Sequence, residues 1–120
     1  MAIHRFAVCD GPDIEFEGEL LASTTPGVRL DRAWTELYLY KTTQGKIVLI
    51  SKKVRRNAEG VEEDPRIYAL VARGWNHLKA LLKDTPGKSV FRWSWLMRSL
   101  IEAAIPKDEE AKVMLEVERI

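Results

Sequence analysis

Apolar and polar residues alternate through much of the first part of the chain and give way later to a period of three to four, the change expected where strands precede helices. Ile14, Phe16 and Leu20 are interleaved with Glu15, Glu17 and Glu19 around Gly18. That stretch fits two short strands or one strand with a bulge, and the glycine points to a β-hairpin turning near position 18. Thr25, Pro26 and Gly27 then end it, since proline supplies no ladder N–H and glycine accepts turn dihedrals.

A second hairpin spans 33–54. Positions 34–40 are dense in β-branched and aromatic residues, and 47–50 are Ile, Val, Leu and Ile. Between them Gly45 can take the left-handed position that closes a short turn. Strand periodicity puts Leu37 and Leu39 on one face, with Trp34, Glu36, Tyr38 and Tyr40 on the other. The 47–50 run is apolar on both faces, which suits a strand with neighbours on either side. Positions 57–65 carry four acids with Gly60 and Pro65 and read as a loop, and 66–72 read as a further strand.

Helical spacing begins at Trp75, followed by Leu78, Leu81 and Leu82, and Pro86 with Gly87 stops it. A second helix is expected over 90–104. A third begins at Pro106, where Asp108, Glu109 and Glu110 suit the positive end of a helix. In the tail, Val113, Val117 and Ile120 fit a helical stripe while Val113, Leu115 and Val117 fit a strand; we take the helix. The expected fold is α+β: a small antiparallel sheet with two to three helices on one face.

Length and composition narrow the class. The chain has 120 residues, 46% hydrophobic and 31% charged, which is one ordinary globular domain, 1–120, large enough to bury a core. No stretch approaches the roughly 20 apolar residues that cross a bilayer, so no membrane partner is expected. A single cysteine, Cys9, and two histidines fall short of a structural zinc set. No metal or cofactor is expected, and the setting is read as cytoplasmic.

The chain carries no G-x-S-x-G elbow, P-loop, H-E-x-x-H or dinucleotide fingerprint, and the expectation is a protein that is not an enzyme. His77 falls beside the Trp75 stripe and reads as a half-exposed helix residue. Cys9, next to Asp10, lacks the positive surroundings that activate a thiolate and reads as buried and inert. Glu15, Glu17 and Glu19 read as solvated charges on a strand.

Charge is segregated, although the net is only +1. Asp10, Asp13, Glu15, Glu17 and Glu19 form an acidic stretch without a base. Lys41, Lys46, Lys52, Lys53, Arg55 and Arg56 form a basic one without an acid. Cross-strand pairing of two neighbouring strands explains both. Alternatively Lys52, Lys53, Arg55 and Arg56 project as a basic arm which, with Trp34, Tyr38 and Tyr40 for stacking, makes nucleic acid a possible partner, although aromatics at period two more often pack a helix laid across the sheet. On the second helix, Met97, Leu100, Ile101 and Ala104 group on one side with Trp93 and Leu96, leaving Phe91 and Trp95 near the other, flanked by Arg92 and Arg98. Either the helix is buried on two sides, between the sheet and the C-terminal helix, or Phe91, Arg92, Trp95 and Arg98 form a candidate patch for a protein partner or for self-association.

The residues Phe16-Glu17-Gly18-Glu19-Leu20-Leu21-Ala22-Ser23, followed by Trp34-Thr35-Glu36-Leu37-Tyr38-Leu39-Tyr40-Lys41-Thr42 and Gly45-Lys46-Ile47-Val48-Leu49, resemble a group of small bacterial and phage or mobile-element proteins that share a W-T-E-L-x-L-Y-[RK]-T-x-x-G-K stretch. The resemblance covers about the first half of the chain; it departs at Ile47, where an aromatic is commoner, and the long Thr25 to Arg32 insertion is unmatched. It implies no activity, cofactor or catalytic residue. What it implies is a small accessory protein that binds a host macromolecule, for example as an inhibitor of a host complex.

Overall fold

A computed structural model describes residues 2–9, 11–24, 32–83, 91 and 93–116. The turn expected at Thr25 to Gly27, the helix stop at Pro86 and Gly87, Arg92 of the partner patch and the last four residues of the tail lie outside the described residues. The fold is α+β. Strands β1 (Ala2–Phe6), β2 (Ile14–Thr24), β3 (Ala33–Thr42), β4 (Ile47–Arg55) and β5 (Arg66–Ala72) form one antiparallel sheet in the order of the chain. Helices α1 (Trp75–Lys83) and α2 (Trp95–Ala104) follow, then a 3₁₀ helix, Glu109–Leu115. The sheet curls, and beyond β1 the Cys9 N–H donates to the Ile67 carbonyl of β5 at 2.9 Å.

The β3–β4 hairpin forms as expected. Gly45, at φ +82°, donates its N–H to the Thr42 carbonyl, and the Thr42 hydroxyl accepts from the Lys46 N–H. The expected hairpin at Gly18 does not form. β2 runs through it as one strand, and its irregularity lies further on, where the register passes from Leu20 opposite Tyr40 to Ala22 opposite Leu39. Leu21 is the extra residue, and the bulge inverts the parity of the strand so that Leu21 and Ala22 both enter the core. Gly18 is needed for closeness rather than for a turn, because a Cβ there would sit 2.4 Å from the Lys41 carbonyl oxygen.

Two apolar clusters flank the sheet. The larger joins Leu37 and Leu39 of β3 and Ile47 and Leu49 of β4 to Trp75, Leu78 and Leu82 of α1, Met97, Leu100 and Ile101 of α2, and Met114 of the 3₁₀ helix. The smaller is made by strand residues alone: Tyr40, Val48 and Ile50, with Phe6, Ile14, Phe16, Tyr38, Ile67 and Ala69 against them. β4 is thus buried on both faces, as its unbroken apolar run requires.

α2 starts five residues later than its apolar spacing suggests. Ser94 caps it, its hydroxyl accepting from the Met97 N–H at 3.1 Å. The third helix also begins late, at an Asp108 cap rather than at Pro106, and is 3₁₀ through Leu115. Asp108 ties three elements together. Its Oδ2 accepts from Lys41 Nζ of β3 at 2.7 Å and from Trp75 Nε1 of α1 at 3.1 Å, while Oδ1 accepts from the Glu110 N–H. Burial pushes the Asp108 carboxyl up, but these donors, Lys41 foremost, outweigh it and hold it below the usual range. Lys41 is raised, through the same hydrogen bond and against its own desolvation.

Candidate functional site

On β3 the expected aromatic face exists, and its centre is a carboxylate. Glu36 is only 7% exposed; its Oε2 accepts from Trp34 Nε1 at 2.7 Å and its Oε1 from the Tyr38 hydroxyl at 2.5 Å. A carboxylate so far from water is tolerable because donors hold both oxygens. Lys52 stands opposite Glu36 in the register, and the Arg56 guanidinium lies 5.0 Å from the Trp34 ring centroid. Tyr40 is buried among His4, Phe6 and Phe16, its ring 4.6 Å from the His4 imidazole. Its burial raises the phenol above its usual range and removes it from any stacking surface.

The basic run divides between the two faces, because successive strand residues point opposite ways. Lys52 shares the face of Trp34, Tyr38 and Tyr40, whereas Lys53 and Arg55, opposite Thr35 and Ala33, lie on the other. Arg56 lies beyond β4, over Trp34 and 3.9 Å from Glu62.

The acidic and basic stretches do not neutralise each other as neighbouring strands. β3 stands between β2 and β4, and among the described residues the one direct cross-strand acid–base pairing of these stretches is Glu19 with Lys41. Glu15 instead faces Arg5 of β1, a strand that sequence reading missed. Ile3 and Arg5 alternate with His4 and Phe6 there, a signal too short to separate from chance.

The partner patch is redrawn. Phe91 is 8% exposed and belongs to the larger core cluster. Because α2 begins only after Ser94, a helical wheel does not apply to positions 91 and 93. The exposed apolar residues here are Trp95 at 81%, Trp93 at 45% and Leu96 at 38%. Arg98 pairs with Glu102 one turn on, Nε to Oε1 at 3.1 Å.

His77 is half-exposed, as expected, and its Nδ1 accepts from the Arg73 N–H ahead of α1. His4 Nε2 donates to the Gly18 carbonyl at 3.3 Å. Cys9 is exposed, not buried, because it follows the edge strand β1. Neither histidine bonds a carboxylate among the described residues. No helix of the described residues is long and apolar enough to cross a membrane. Comparison with protein families, with curated proteins and with solved structures finds no match to this chain.

Proposed function

We propose that the protein acts as a small non-enzymatic binding protein whose anchor is the start of α2, with Trp95 the central residue and Trp93 and Leu96 beside it. The observation that carries this reading is the 81% exposure of the Trp95 indole, the most exposed large apolar side chain among the described residues. Exposed indole loses nothing to the fold when removed but gains on entering a partner's pocket, and tryptophan with arginine dominates such contacts. Arg98, one turn along the same helix, supplies a cation at the rim.

The partner is a protein surface with an apolar pocket able to take the indole. The sheet with its helices on one side serves as a rigid support, a reading favoured by the common cluster that joins α1, α2 and the 3₁₀ helix to β3 and β4. Action in a cytoplasmic setting as an accessory protein, through occupation of a partner's surface, accords with the resemblance of the β3–β4 hairpin.

The test compares the wild-type chain with Trp95→Ala, both shown to be folded by circular dichroism and thermal melting. Affinity capture from a bacterial lysate is expected to recover a specific partner that Trp95→Ala loses by at least about tenfold, the scale of a hot-spot residue. Equal recovery by the two proteins, together with identical sedimentation profiles, sinks the reading.

A further inference from the structure

At the end of the sheet furthest from the Gly45 turn, three cations share one face. Lys53 and Arg55 are two residues apart on β4, and Arg66 on β5 is the direct register partner of Lys53. All three are exposed, and none makes an ion pair or side-chain hydrogen bond among the described residues. Like charges placed directly across a strand pair work against folding, so this juxtaposition is a cost that the fold itself does not recover. The three cations line, with Thr35, a cavity of about 370 Å³. Glu63 and Asp64 line it too, without pairing to the cations, so these five charges leave an excess of one positive.

We infer that this cavity, whose lining also includes Trp34 and Val54, receives the phosphodiester backbone of a single-stranded nucleic acid, separate from the Trp95 surface. Lys53 and Arg55, at i and i+2, are spaced by about 6.7 Å along the strand, comparable with successive phosphates on an extended chain. Arg66 beside Lys53 supplies a planar fork for the oxygens of the same phosphate. Thr35, opposite Lys53 on β3, adds a hydroxyl donor. An acidic peptide fits less well, since its carboxylates alternate faces at strand spacing and Glu63 and Asp64 repel any that fall outside the cations' reach.

Fluorescence anisotropy of a short labelled oligothymidylate tests this. Binding is expected at low salt, weakening about sevenfold between 50 and 200 mM for two neutralised phosphates. The triple variant Lys53→Gln, Arg55→Gln, Arg66→Gln should lose at least about tenfold in affinity, while Lys52→Gln, on the other face, binds as the wild type does. Arg66→Gln alone should melt no lower than wild type, because it relieves a repulsion. Absence of oligothymidylate binding at low salt, equal weakening by Lys52→Gln, or equally tight binding of polyglutamate each overturns the assignment.

Discussion

Leu49 and Ile50 are neighbours on one strand, both fully buried, yet they serve different structures. Leu49 sits in the cluster where strands meet α1, α2 and the 3₁₀ helix; Ile50 sits in the one built from strands alone, where most surrounding side chains are only half-buried. The first is closed by three further elements. Among the described residues the second is closed by the curl of the sheet, with the Cys9 to Ile67 hydrogen bond drawing its edges together. Burial of a residue therefore does not measure what its removal costs; the freedom of its surroundings to collapse does.

Truncation gives the most direct way to break the comparison. Leu49→Ala should cost about 4 kcal/mol and Ile50→Ala about 2, the upper and lower parts of the range for such changes. Urea denaturation of both variants checks this, and equal costs would show the two clusters to be equally rigid. Next in size is Gly18→Ala, expected to cost about 3 kcal/mol, the upper end for overpacking. Its Cβ meets Lys41 and Thr42 backbone, which cannot rotate away, so β2 and β3 must part.

Asp108→Asn probes how α1 and the 3₁₀ helix are fastened to β3, and should cost about 2 kcal/mol at neutral pH, the scale of a charge-assisted hydrogen bond. Because the Asp108 carboxyl is held low in the fold, its contribution is present above the ordinary aspartate value of about 3.9 and lost as pH falls through the folded value. Lys41, raised in the fold, contributes fully below about 10.4 and less as pH rises through its folded value. The gap between wild type and variant should thus be widest between those limits. A gap independent of pH would assign the cost to packing alone.

Smaller effects sharpen the contrast by sign. The Ser51 hydroxyl is buried on the face of β4 shared with Leu37 and Leu49, without a hydrogen-bond partner among the described residues. Ser51→Ala should accordingly be neutral or stabilising by about 1 kcal/mol, read as a raised melting temperature. Trp95→Ala should shift stability by no more than about 0.5 kcal/mol, as at an ordinary surface position. A larger loss would make Trp95 part of the fold and remove it as an anchor.

Sequence periodicity was sufficient for β3, β4, β5 and α1, where apolar spacing and Gly45 act within a few residues of each other. Gly18 shows where that logic stops. Glycine between alternating residues reads as a turn, and only the neighbouring strand's backbone, 24 positions away at Thr42, reveals a strand that must pass close by. The start of α2 was legible in Ser94, whose hydroxyl stands three residues before the Met97 amide, but the Trp93 spacing concealed it. Charge was the least legible property. Which acid faces which base depends on strand order, and the placement of Lys53 beside Arg66 appears only once β4 and β5 are in register.

The plain strand order has a consequence for assembly of the molecule in time. Every strand pairs with its nearest neighbour along the chain, so the sheet can zip hairpin by hairpin, each step closing a short loop at small entropic cost. Lys41 meets Asp108 across 67 positions, and Lys107 meets the Leu20 carbonyl across 87. These long closures fall to the helical segment. Loop closure costs more the further apart the partners lie, so the β3–β4 hairpin, closed over Thr43 to Lys46, is the least costly contact of the sheet to make and the docking of α2 and the 3₁₀ helix among the most costly.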